Sequence, residues 1–105
     1  MSEDDLYRAL SDPTRRAILD ELARRDGQTL FELCGRLIMN HGIGSTRQAI
    51  SQHLEVLEDA GLVVTRREGR YKFHSFNGEP LKAITRRWLG RPRKDEDPKA
   101  GADDR

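Results

Sequence analysis

Side chains that can read nucleic-acid base edges cluster at Thr46, Arg47, Gln48, Ser51, Gln52 and His53. Arginine bonds bidentately to guanine and glutamine to adenine, while serine and threonine hydroxyls serve either. A second set, Arg66, Arg67, Arg70 and Lys72, has the chemistry of phosphate neutralisation. Catalysis is poorly served. No Ser, His and Asp set and no carboxylate pair falls at a meaningful spacing. Gly42-Ile43-Gly44 lacks the preceding strand that a nucleotide-binding glycine loop requires. The chain is therefore expected not to be an enzyme and to use no cofactor.

Those residues need elements to hold them. Ser45 or Thr46 starts a helix, with Gln48 as a capping-box partner of Ser45, and the helix runs to about Ala60 before a stop at Gly61. Ile50, Leu54 and Leu57 lie at i, i+4 and i+7 and form its inward face, which leaves Thr46, Arg47, Gln48, Ser51, Gln52 and Glu55 elsewhere. Leu62 to Thr65 reads as a strand, Glu68-Gly69 as a turn and Tyr71 to Phe76 as a second strand. The four cationic residues then sit near a hairpin tip. A tip has no core to protect, so their clustering points to binding, while Tyr71 and Phe73 brace the hairpin.

Upstream, Asp4 to Leu10 suits a short first helix. Asp12-Pro13 caps a second that runs to about Arg25, with Ala17, Ile18, Leu19 and Leu22 inward and Gly27 as its stop. Arg15, Arg16, Arg24 and Arg25 mostly read as a solvated surface. Thr29 and Glu32 make a capping box for a third helix with Leu30, Leu33, Cys34 and Leu37 on one stripe. Ile38 to Gly44 reads as a loop, with the helix extending at most to about Asn40. Downstream, Asn77-Gly78 is a turn and Pro80 opens a fifth helix bearing Leu81, Ile84, Trp88 and Leu89. The expected class is mostly α with a small antiparallel β-hairpin, in the order α-α-α-α-β-β-α, a winged helix-turn-helix.

Composition bounds the rest. The chain has 105 residues, a formal net charge of +1 and 35% charged residues. That is one domain, over residues 1–89, followed by a tail, 90–105, without bulky apolar side chains that is expected to be disordered. One cysteine rules out an intrachain disulfide and fits a reduced, cytoplasmic setting. No apolar run of about 18 residues exists, so no membrane partner is expected. The acidic start, MSEDDLYRAL, is unlike a signal peptide.

Ala9 to Leu19 (ALSDPTRRAIL), Ala49 to Leu57 (AISQHLEVL), Ala60-Gly61-Leu62-Val63 and Arg67-Glu68-Gly69-Arg70 together resemble the ArsR-type winged-helix transcriptional repressors of bacteria. The resemblance covers roughly Leu6 to Leu89. It implies a homodimer paired through the first and last helices, here Leu6, Leu10, Leu81, Ile84 and Trp88. It also implies two fourth helices in successive major grooves of a near-palindromic double-stranded DNA operator, and often release by a ligand. Metal-sensing members carry Cys-x-Cys after Glu-Leu in the third helix. Here Glu32-Leu33-Cys34-Gly35-Arg36 keeps one cysteine, so no metal site is expected and the effector stays unknown. The link between the third and fourth helices reads as roughly six residues longer than the usual turn, with the excess at Met39 to Gly44. That excess could tilt the recognition helix, add a phosphate contact, or be an inert surface loop.

Other residues have plainer expectations. Cys34 is expected to be a buried structural thiol, and His41 and His74 to be solvated. His53 is either a DNA contact or a packed helix histidine. Trp88 is expected in dimer packing more than in an effector pocket. Two alternatives to the DNA-reading repressor stand. One is a protein-interaction module that uses an acidic patch of Glu55, Glu58 and Asp59. The other is a metal-responsive repressor.

Overall fold

A computed structural model of the chain describes residues 2–90, so the tail expected to be disordered lies almost wholly outside the described residues. The order is α1 (Glu3–Leu10), α2 (Pro13–Arg24), α3 (Leu30–His41), α4 (Arg47–Asp59), β1 (Val63–Glu68), β2 (Tyr71–Phe76) and α5 (Leu81–Leu89). It is the winged helix-turn-helix order expected from the sequence.

The starts of α1 to α4 are each built by a side chain that takes a free backbone N–H, whereas α5 opens at Pro80 without a side-chain cap. Ser2 accepts from the Asp5 amide, Asp12 from Arg15 and Thr29 from Glu32. At α4 the cap is Thr46, accepting from Ala49 at 3.0 Å, so the expected Ser45–Gln48 box does not form. The end of α4 is closed by paired bonds, Leu62 N–H to Leu57 C=O and Gly61 N–H to Glu58 C=O, both 2.9 Å. That pairing turns the chain through Gly61 at φ +78°, a conformation costly for any residue with a Cβ.

The core follows from the helical stripes. Ile18, Leu22, Leu33, Leu37, Ile50, Leu57 and Leu62 are fully buried, and Val63 carries the packing into the hairpin. Gln28 sits among them. Its backbone pairs with His74 in both directions, at 2.9 and 2.8 Å, and so adds a short third rung beside β2. Its side-chain amide donates to the carbonyls of Glu21 and Arg25, and its oxygen accepts from Arg36 at 2.6 Å.

Several expectations are corrected here. The third helix reaches His41, because Asn40 and His41 are both held by the buried Glu21 carboxylate, at 3.1 and 2.9 Å. The link to α4 is then only residues 42–46, and Ile43 packs on the core. His41 is not free in solvent. Neither is His74, which is buried with Nδ1 3.0 Å from the Gln28 carbonyl. Arg15 and Arg16 are not idle surface charges. They donate to the last carbonyls of α1, Arg15 to Arg8 and Ala9 and Arg16 to Leu10, and Arg8 also accepts from the Ser11 amide and hydroxyl. Cys34 is half-buried and not enclosed. Leu6 is 3% exposed, so its place is the chain's own core and not a partner-facing surface.

Candidate nucleic-acid interface

The capped start of α4 fixes which side chains face outward. With Ile50, Leu54 and Leu57 turned into the core, Arg47, Gln48, Ser51 and Gln52 are exposed. They line a shallow cleft together with Leu30 and Glu55. Thr46 is exposed too, but its hydroxyl oxygen is occupied as the helix cap. His53 points away from this face. Its Nδ1 is 3.2 Å from an Arg15 guanidinium nitrogen and 3.9 Å from Asp12, at the start of α2. Burial pushes the Asp12 carboxyl up, but the Arg15 amide and the nearby His53 and Arg15 hold its pKa below the usual range.

The hairpin brings the second set alongside. Its strands are joined by Gly69 and Arg70 alone, with Glu68 opposite Tyr71. Gly69 takes φ +61° and no non-glycine among the described residues has positive φ, which is the geometry of a type II′ turn. Arg67 lies directly opposite Lys72. Like charges at such a pair destabilise a sheet unless an anion comes between or beside them. Arg70 and Lys72 share a cleft of about 440 Å³ with Arg47 and Ser51, so the wing and the recognition helix form one concave surface. Arg66 is different. It pairs with Glu68 at 3.1 Å and lies over the Phe73 ring at 5.0 Å, so it stiffens the wing. Tyr71 and Phe73 stand 6.3 Å apart, in keeping with a bracing role.

The acidic patch expected from sequence is divided. Glu58 bonds Thr65 of β1 at 3.1 Å, and Asp59 faces the Asp5, Arg8 and Arg15 side. Glu55 alone of the three stands on the reading side, which its spacing of seven residues from Gln48 could have shown. On α3, burial raises the Cys34 thiol above its ordinary value while the Arg47 charge opposes this. The thiol is therefore protonated at neutral pH, unlike a thiolate ligand. Among the described residues no three His, Cys, Asp or Glu side chains converge. No helix among them is long and apolar enough to cross a membrane.

Residues 10–66 match the family model described as a helix-turn-helix domain. The chain is 51% identical over 88 residues to an uncharacterized HTH-type transcriptional regulator, YuzN, of Bacillus subtilis (strain 168), covering 84% of this chain and 96% of that protein. The chain belongs to the ArsR-type helix-turn-helix transcriptional regulators. Among solved structures it is similar to an ArsR-like transcriptional regulator from Rhodococcus sp. RHA1. That match has a TM-score of 0.71 and 31% identity, over 95% of this chain and 77% of that one. It is also 32% identical over 74 residues to the transcriptional repressor SdpR of Bacillus subtilis (strain 168), covering 70% of this chain and 74% of that protein. This family consists of transcriptional regulators and not enzymes.

Proposed function

We propose that the chain is a homodimeric repressor that binds a two-fold symmetric double-stranded DNA operator. Each α4 enters a major groove and each wing tracks the adjoining backbone. The observation that carries this is the shared surface of Arg47, Gln48, Ser51 and Gln52 with Arg67, Arg70 and Lys72. Base-edge donors and acceptors lie on the helix and free cations on the ribbon beside it, the division that specific DNA binding requires. The similarity to the transcriptional repressor SdpR supports the direction of regulation.

Pairing through α1 and α5 is supported by what α5 leaves uncovered. No residue of α5 is buried, and Trp88 and Leu89 are 65% and 76% exposed. Trp88 stacks near Tyr7 of α1 at 6.2 Å, and Arg87 pairs with Glu3, so the two helices present one apolar edge with charged borders. Leu10, Leu81 and Ile84 lie beneath it, half-buried against the core.

Anisotropy titrations against the chain's own upstream region test the function. Affinity should fall steeply with salt. Arg70→Ala should weaken all sequences alike and lower the salt slope by about one. Gln52→Ala should cost about 1–3 kcal/mol of discrimination at one base pair per half-site. Salt-independent binding, or binding indifferent to both substitutions, would contradict the assignment.

A further inference from the structure

We propose that Glu55 is a base-selecting residue of the reading surface, whose carboxylate accepts a hydrogen bond from the exocyclic amine of cytosine. The inference rests on the DNA-reading function above and names one base that the surface selects.

Three observations lead to it. First, Glu55 lines the same cleft as Arg47, Gln48, Ser51 and Gln52, and it is exposed. Seven residues separate it from Gln48, two turns of helix, so the two point within about 20° of each other and lie about 10 Å apart along the axis. Second, the other described glutamates are each engaged. Glu3 pairs with Arg87, Glu21 with His41, Glu68 with Arg66 and Glu79 with Lys82. Glu32 bonds Thr29, and Glu58 bonds Thr65. Glu55 makes no hydrogen bond or ion pair among the described residues. Third, the one cation lining this cleft is Arg47, eight positions earlier and about 12 Å away along the helix.

An ionised carboxylate only accepts hydrogen bonds. On a face that meets phosphates it opposes binding of every sequence alike, unless a donor waits opposite it. In the major groove cytosine offers its N4 amine with no acceptor of the same base beside it, whereas adenine sets its N6 amine next to the acceptor N7, which repels a carboxylate, and guanine offers only the acceptors O6 and N7. The same charge therefore rewards one base pair and penalises both its reverse and unspecific duplex. It works as attraction and rejection together, the combination from which specificity is built.

The test is a random-sequence selection with the wild type, Glu55→Ala and Glu55→Gln. Glu55 has no partners to lose, and thermal melts of both variants should match the wild type. The wild type should enrich a motif with a fixed cytosine at one position in each half-site. Glu55→Ala should lose preference there by about tenfold, keep the rest of the motif, and bind an unrelated duplex more tightly. Glu55→Gln should shift that position toward adenine. An unchanged preference at every position in both variants overturns the role of Glu55 and leaves DNA reading intact. A wild type that enriches no sequence overturns both.

Discussion

At Glu21 a carboxylate is taken fully out of water, and its surroundings keep it charged. Burial pushes its pKa up, but bonds from Asn40 and His41 and the nearby Arg24 charge outweigh this and leave it below the usual value. Its Oε1 has no partner, so the group depends on the contacts made by Oε2. Removing one of them is expected to be costly. His41→Ala should lower stability by about 1–3 kcal/mol in urea denaturation, with faster amide exchange at the end of α3. At His74 burial lowers the pKa, against the bond to the Gln28 carbonyl. The folded state thus binds fewer protons than the unfolded one. Stability is full above the ordinary value of 6.5 and falls as pH drops below it toward the depressed folded pKa. Melting midpoints from pH 8 to 5 should show this loss in the wild type and a flatter profile in His74→Gln. These two residues were the least legible in the sequence. A histidine with no supporting partner nearby in sequence reads as solvated, and only a backbone rung between positions 28 and 74 puts His74 inside.

Among the elements, chain reversals are where single residues decide geometry. Gly61 takes φ +78° at the end of α4 and sends the chain into β1. Gly61→Ala should destabilise by about 1–2 kcal/mol, read as a lower urea midpoint at unchanged slope. That stop was legible, as were the stripes of α2, α3 and α4, because helix periodicity and capping residues are local signals. The end of α3 was not. Asn40 and His41 have weak helical preference, and it is a carboxylate on another helix, Glu21, that holds them in register. Leu6 failed for a related reason. Its spacing marks an apolar face, but cannot say whether that face meets the chain's own core or another copy. The exposure of the proposed reading residues was legible, because they lie off the inward stripe, yet the turning of His53 toward Arg15 needed the packing of α2 on α4.

For the molecule as a whole, the uncovered edge of α5 and the concave face of α4 with the wing are two ends of one design. On the proposed reading, the first pairs copies and so sets the spacing of the second. Trp88→Glu should yield monomers by analytical ultracentrifugation while leaving the far-ultraviolet circular dichroism unchanged, and should weaken operator binding far more than unspecific binding. The central claim, that two recognition helices read successive major grooves, is tested most directly by hydroxyl-radical footprinting on a selected duplex. Two protected patches on one face of the DNA, related by two-fold symmetry and about one helical turn apart, are predicted. A single protected patch, or none at concentrations that saturate binding, would contradict it.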